Sequence, residues 1–381
     1  MTSRLPRVLA TGVSVRSLAR SAIAAGYEVL TADGYGDRDL IEATPGPARH
    51  LTVSPFLTAA VADHVTLPYD AVAYTSNFEN HPDALERLAA GRLVLGNAPA
   101  VLRDVRRPER LHDVLESAGL ESPGVYAGAG EALAHAGGRE LVAKPRLSGG
   151  GGGVRRWQPA DPLLESEVLQ DWVDGVPGSL VFLADGRDAM PLGLTRQLIG
   201  DAAFGASGLR WCGNLLAGPG APVFAAGPEL LASAEAAARA ITRAFGLRGI
   251  NGIDFIAQDG KALVIEVNPR WTAAVELVER SLGEGLFPAH ASGCEGELPR
   301  LGQERHAGVI GKAVVFAPAD CVMPDTDPWL ADGMTADVPM SGSRVPHGAP
   351  ICTIFAAATT SAACYEALTE RARAIVQSTT T

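Results

Sequence analysis

Three stretches of the 381-residue chain carry residue types spaced for chemistry on a nucleotide. The strongest runs from Gly252-Ile253-Asp254-Phe255-Ile256 through Gln258-Asp259-Gly260 to Leu263-Val264-Ile265-Glu266-Val267-Asn268-Pro269-Arg270. Two apolar runs flanking a turn read as a β-hairpin. Side chains alternate along a strand, so Glu266 and Asn268 share a face. Asp254 joins that face under one parity of pairing only. A two-residue Asp259-Gly260 loop puts Asp254 and Glu266 on opposite faces. A three-residue Gln258-Asp259-Gly260 loop, with Gly260 left-handed, puts all three on one face, and this is the expectation. Two carboxylates buried together raise one another's pKa unless a cation lies between them. Hard oxygen ligands in this number suit Mg²⁺ shared with triphosphate oxygens. The competing reading, solvated acids on a half-exposed hairpin, does not explain acids set in such apolar strands.

The second stretch is Glu140-Leu-Val-Ala-Lys144-Pro145-Arg-Leu-Ser148 followed by five glycines, Gly149 to Gly153. An apolar strand delivers one lysine and then enters a loop without Cβ atoms. Such a loop can turn several N–H groups onto an anion at close range. A strand lysine is a compact cation suited to a nucleotide phosphate. The plainer alternative is a hairpin tip beside a surface lysine. The loop is not a Walker P-loop, because GxxxxGK[ST] is missing.

The third is Val168-Leu169-Gln170-Asp171-Trp172-Val173-Asp174-Gly175. An edge segment of this kind offers backbone N–H and C=O to an adenine edge. Gln170 could reach an exocyclic amine and Asp174 a ribose hydroxyl. Taken alone, it reads rather as an ordinary inter-strand linker with Trp172 in the core.

The elements that must position these residues are also legible. Arg7 to Ala10 is a short strand, Ser17 to Ala25 a helix stopped by Gly26, and Tyr27 to Leu30 a second strand, which makes a βαβ unit. A strand at Ala71 to Tyr74, a helix at Pro82 to Ala90 and a strand at Leu93 to Gly96 complete an open α/β domain in the first hundred residues. Gly12 stands alone where a dinucleotide site needs GxGxxG, so no Rossmann cofactor site is expected. Residues 100 to 135 read as helical, with a break at Pro123. Strands dominate from about 140 to 215, Glu229 to Phe245 is an Ala-rich helix ending at Gly246, and strands return at 252 to 268. A looser tail ends in a helix around Ala362 to Val376. Lys312, in Gly311-Lys312-Ala-Val-Val, reads as a solvated strand end.

Composition excludes several classes. The net charge of -11 supplies no basic excess for nucleic acid. The five cysteines form no CxxC pair and are odd in number, which argues against a disulfide framework or a zinc site and fits a reducing cytoplasm. No apolar run approaches a membrane span, and the first residues lack a signal-peptide core.

Together the three stretches resemble the ATP-grasp superfamily, which includes biotin carboxylase and D-alanine–D-alanine ligase. The likeness spans roughly residues 100 to 300. It implies a mixed α/β fold in four parts: a pre-ATP-grasp α/β domain (1–100), an N-terminal lobe with the glycine-rich lid (101–180), a C-terminal lobe with the Mg²⁺ hairpin (181–300), and a strand/helix extension packed on it (301–381). It implies ATP with Mg²⁺, or Mn²⁺ in its place, as cofactors. Lys144 resembles the lysine on the α/β-phosphates, and Ser148, Gly149, Gly150 and Gly151 the flap over them. Gln170, Asp171, Trp172 and Val173 resemble the adenine hinge, with Asp174 on the ribose. Asp254, Glu266 and Asn268 resemble the metal ligands, and Arg270 the arginine on the substrate carboxylate or acyl-phosphate. Many members carry a second nucleotide lysine; the matching Arg103 to Arg110 holds only arginines, so Arg107 is the candidate. Arg196 and Asn214 are candidates for the acceptor pocket. The chain also resembles carboligase-like members, including amine–glutamate ligases. The implied activity is ADP-forming ligation of a small carboxylate, such as an amino acid, to an amine, with a homodimer left open. An ATP-dependent carboxylase working through carboxyphosphate, a non-catalytic ATP-binding module and a dehydrogenase are the competing readings.

Overall fold

The structure, a computed structural model, describes residues 5–44, 46, 49–53, 58–302 and 306–379. Five short parallel strands open it: β1 (Val8–Thr11), β2 (Val29–Asp33), β3 (His50–Thr52), β4 (Ala71–Tyr74) and β5 (Leu93–Leu95), in the order β3-β2-β1-β4-β5. Alternation along β1 sends Val8 and Ala10 toward helix Arg16–Ala24 and Leu9 toward helix Pro82–Leu88. With both faces covered, β1, β2 and β4 are wholly buried, as parallel strands usually are.

A second sheet of four antiparallel strands comprises β6 (Val125–Tyr126), β7 (Leu141–Pro145), β8 (Arg155–Trp157) and β9 (Glu167–Asp171), in the order β6-β9-β7-β8. Leu141, Ala143 and Leu169 pack with Ala132 of helix Ala129–His135. The alternate residues Val142, Lys144 and Gln170 therefore face the other way, into a cavity. Residues 100 to 135 are not continuously helical. Helices Pro99–Val105 and Pro108–Ser117 are followed by β6, which pairs with β9 before the next helix begins.

The third sheet holds β10 (Val176–Asp185), β11 (Ala189–Ile199), β12 (Trp211–Leu216), β13 (Arg248–Gln258), β14 (Lys261–Asn268) and β15 (Val309–Phe316). A two-stranded ribbon of β16 (Cys321–Val322) and β18 (Arg344–Val345) lies apart, while β17 (Thr335–Ala336) and β19 (Pro350–Ala358) join the large sheet. Its order is β14-β13-β10-β11-β12-β15-β19-β17. Leu180 and Phe182 share a core with helices Gly227–Phe245 and Ser361–Thr379, and Val181 and Leu183 pack on helices Val275–Leu282 and Phe287–Glu295. The last eighty residues are therefore not a loose tail, since β15 and β19 extend the sheet itself. Both are buried along most of their length, so they lack the polar alternation that marks a strand in sequence. All five cysteines are free. No described helix is long and apolar enough to cross a membrane.

Candidate active site

The hairpin closes through Gln258↔Lys261, so its loop is the two-residue Asp259-Gly260, both left-handed (φ 50 and 76). That corrects the three-residue loop expected from sequence, and it is the geometry a tight hairpin favours. The parity nevertheless comes out with both acids together. Phe255 pairs with Val264 but Asp254 pairs with Glu266, so Ile265 is left out of the ladder as a bulge. One extra residue returns Glu266 to the side of Asp254, and Asn268 follows opposite Gly252.

Asp254, Glu266 and Asn268 line a cavity of about 1100 Å³. Asp254 accepts from neutral amides only: Gln197 Nε2 on Oδ1 and Asn268 Nδ2 on Oδ2, each at 2.9 Å. Burial, and then the Glu266 charge, push its pKa up to about 6. Burial acts on Glu266 in the same direction, but the Lys144 and Arg106 cations outweigh it and hold its pKa below the usual value. One acid is thus balanced and its neighbour lacks a cation. Among the described residues no three His, Cys, Asp or Glu side chains are grouped to hold a metal. A divalent ion here would therefore rest on two carboxylates, the Asn268 amide and oxygens of its ligand, a donor set that fits Mg²⁺.

Lys144 reaches across from β7, its Nζ 2.8 Å from the Ile265 carbonyl oxygen and 3.9 Å from Glu266 Oε2. Burial lowers its pKa. The arginine that joins it is Arg106, not Arg107. Arg106 donates to Glu266 Oε1 at 2.5 Å and to the Ser148 carbonyl at 2.9 Å. Its side chain is 8% exposed, against 67% for Arg107, which pairs with Asp104 at 3.8 Å. The cause is local: Arg107 precedes Pro108 and takes the extended backbone (φ −95, ψ 105) that a residue before proline adopts. It is turned outward between two short helices.

The glycine run approaches the body most closely at Gly151, where no side chain fits. A Cβ on Gly151 would lie 1.9 Å from the Leu209 carbonyl oxygen, and Gly150, Gly151 and Gly153 have φ of 63, 79 and 76. Trp211 N donates to Gly150 O at 3.1 Å, and Asn80 Nδ2 donates to Ser148 O at 3.2 Å. Gly149 to Gly152 line the cavity with Ser148.

At the end of β9, Gln170, Asp171, Trp172, Val173 and Asp174 line the same cavity. Trp172 is half-buried rather than in the core, with the Arg156 guanidinium 3.4 Å over its ring and its Nε1 donating to Asp174 Oδ1 at 2.7 Å. The Asp171 carboxylate accepts from Gly124 N (3.0 Å), Tyr126 Oη (3.1 Å) and Arg139 Nε (2.9 Å), so it braces the sheet.

Arg270 donates through Nε to Glu79 Oε1 at 2.7 Å and through an NH₂ group to Asn268 Oδ1 at 3.0 Å. Glu79, which sequence reading missed, is buried with Oε2 unpartnered. Asn214 lines the cavity, but its amide is engaged by Thr195 Oγ1 (2.8 Å) and Trp211 Nε1 (2.9 Å). Arg196 does not join it. Its side chain is exposed, while the alternate Gln197 faces inward to Asp254. Lys312 is not solvated either: it is buried, 3.0 Å from Glu276 and 3.1 Å from the Ala273 carbonyl.

This arrangement, a basic strand and glycine flap facing two acids across one cavity, can hold a polyphosphate with a divalent ion. A family model described as an ATP-grasp domain matches residues 110–274. Over 126 residues, 33% of this chain, the sequence is 28% and 30% identical to the carbamoyl phosphate synthase large chains of Brucella suis biovar 1 and Brucella melitensis biotype 1, a stretch that spans only 10% of those relatives. Among solved structures, an L-amino acid ligase from Bacillus licheniformis aligns over 98% of both chains with a TM-score of 0.68 and 18% identity. The biotin carboxylase domain dimer of the Hydrogenobacter thermophilus 2-oxoglutarate carboxylase, solved with magnesium ADP, ADP and bicarbonate, aligns over 97% of this chain and 89% of its own, with a TM-score of 0.70 and 15% identity. At these identities the structural likeness speaks for the fold. The ATP-grasp domain match at residues 110–274 covers less than half of the chain, and along the rest the likeness is one of fold to these ligase and carboxylase structures.

Proposed function

We propose that the protein is an ADP-forming ligase that activates a small carboxylate as its acyl-phosphate and passes the acyl group to an amine. The observation that carries this reading is the convergence of Lys144 and the flap on the acid pair Asp254 and Glu266 within one cavity, with Arg106 bonded to both Glu266 and the flap. Lys144 and Arg106 supply positive charge where the triphosphate lies, and the flap N–H groups add donors. Asp254, Glu266 and Asn268 would hold Mg²⁺, or Mn²⁺, which neutralises the β- and γ-phosphate oxygens. Adenine belongs at Gln170 to Val173 and the ribose near Asp174. The substrate carboxylate oxygen attacks the γ-phosphorus as the bond to the β-phosphate oxygen breaks and ADP leaves. Arg270, steadied by Glu79, orients that carboxylate. The amine nitrogen then attacks the acyl carbon, phosphate departs, and the nitrogen gives up a proton. The closed flap keeps water from the acyl-phosphate. The free cysteines suit a cytoplasmic setting.

The test pairs amino acids with amines, following ADP release and trapping acyl-phosphate with hydroxylamine. ADP with a hydroxamate is expected. AMP and pyrophosphate as products would reject the mechanism, and ADP release dependent on bicarbonate alone would favour a carboxylase.

A further inference from the structure

The cavity has a second end, away from the nucleotide groups, where the N-terminal sheet meets the loop after β17. Arg16 sits there, 2% exposed, its guanidinium on Glu276 (2.7 and 2.8 Å), Asp337 (2.7 Å) and Asp39 (3.3 Å). Lys312 adds its ammonium to Glu276 at 3.0 Å. Both cations are therefore committed. Asp37 lines this end and is 7% exposed, yet its Oδ2 is buried with no partner. Asp37 stands at the N-cap of helix Arg38–Ala43, where an aspartate side chain ordinarily accepts a backbone N–H. It makes no such bond. Burial, and after it the neighbouring Asp337, Asp33 and Asp39, push its pKa well above the usual range, with Arg16 pulling the other way. A buried carboxylate lacking a donor is costly. Arg210, on the same cavity, donates to the Gly348 carbonyl at 2.8 Å and stacks 3.7 Å from the Phe316 ring; it forms no ion pair with Asp37. Tyr35, Phe316 and Ile351 add apolar and aromatic surface to the cavity.

We infer that Asp37 is the seat for a protonated amino group of the acceptor substrate, an organic amine whose carbon body lies along Tyr35, Phe316 and Ile351. The partner that Asp37 lacks within the chain is supplied by the ligand. The word acceptor rests on the ligase reading; the binding site does not.

The experiment is calorimetric titration of the full chain, without ATP, using 2-phenylethylamine and 1,4-diaminobutane as probes and 2-phenylethanol as the neutral control. At least one amine should saturate at one per chain, and 2-phenylethanol should bind at least about tenfold more weakly. Asp37→Asn should weaken the amine by about tenfold or more while MgATP binding stays within about twofold. If neither amine saturates the wild type, or if the alcohol matches the amine, the site assignment is overturned without recourse to a variant. Unchanged amine affinity in a folded Asp37→Asn protein overturns it as well. Saturable, Asp37-dependent amine binding with no ADP release from any carboxylate–amine pair would keep this site and reject the ligase. Amine-dependent ADP release with an unaltered KM in Asp37→Asn would do the reverse.

Discussion

Lys144 Nζ donates, at 2.8 Å, to the carbonyl oxygen of Ile265, the residue squeezed out of the β13–β14 ladder. The bulge therefore sets the parity that brings Glu266 beside Asp254, and it also frees a carbonyl for the lysine of another sheet. The four-stranded sheet with its flap is thereby tied to the acid-bearing hairpin at the point where a triphosphate would lie between them.

Lys144→Met separates binding from folding. Burial already disfavours the ammonium, and Glu266 keeps its bond to Arg106. An unbranched apolar replacement of similar length keeps the packing but takes from Glu266 one of its two cations, so the melting temperature should fall modestly with the fold retained. Nucleotide affinity should fall by about tenfold or more, roughly 1.4 kcal/mol. Fluorescent-nucleotide titration beside a thermal melt reads both, and a stable variant with wild-type affinity would remove Lys144 from the phosphate site.

The two acids should respond to neutralisation with opposite signs in stability. Asp254 has its folded pKa raised to about 6, so its charged form weakens the unliganded fold as pH climbs from the unfolded value through that window. Asp254→Asn should stabilise the protein near pH 7, by about 1 to 3 kcal/mol, and much less near pH 4. Glu266 is held low by Lys144 and Arg106. Glu266→Gln leaves those cations short of an acid and should destabilise by about 2 kcal/mol. Both variants should lose about a hundredfold or more in turnover. Urea unfolding without nucleotide, beside ADP release, gives the signs, and shifts of one sign for both would refute the charge assignment.

Arg106→Ala and Arg107→Ala distinguish two adjacent positions. The first removes the buried donor to Glu266 and to the flap at Ser148, and should lower turnover by about a hundredfold. The second removes a solvated side chain and should stay within about twofold, near the range expected for exposed ion pairs. Equal losses in steady-state ADP release would contradict the placement.

The limits of sequence reading fall where geometry depends on partners far along the chain. The N-terminal βαβ unit and the acid hairpin are legible because each is written in a short window: an apolar run, a stop at Gly26, a turn within Gln258-Asp259-Gly260. The bulge is not, since Ile265 is an ordinary strand residue whose displacement emerges only from pairing on both sides. Lys312 looks like a strand end because its counter-charge, Glu276, lies on a helix 36 residues earlier. Glu79 and Asp37 carry no motif at all; they become candidates only when the fold buries one carboxylate oxygen of each without a donor.

His290 offers a pH-dependent check on how the N-terminal sheet meets the large one. Its Nδ1 accepts from Ile250 N–H at 2.8 Å and its Nε2 faces the Leu95 carbonyl at 3.1 Å, so the folded ring is neutral with the proton on Nε2. Protonating Nδ1 would break the first bond, and burial pushes the pKa down to about 4. The unfolded chain takes up a proton near pH 6.5 while the folded one resists until about 4, so this residue's contribution is present above pH 6.5 and is lost as pH falls through that window. The full effect is about 3 kcal/mol. Asp33 and Glu279, each raised to about 7, act with the opposite sign, because their folded forms hold protons that the unfolded chain releases. The wild-type profile alone therefore mixes the two. The difference between wild type and His290→Gln isolates the imidazole: the wild type's advantage in urea unfolding should be largest near pH 7.5 and shrink by about 2 kcal/mol near pH 4.5. Parallel curves for the two proteins would mean that the ring titrates alike in the folded and unfolded chain, and the Ile250 bond would then not set its tautomer.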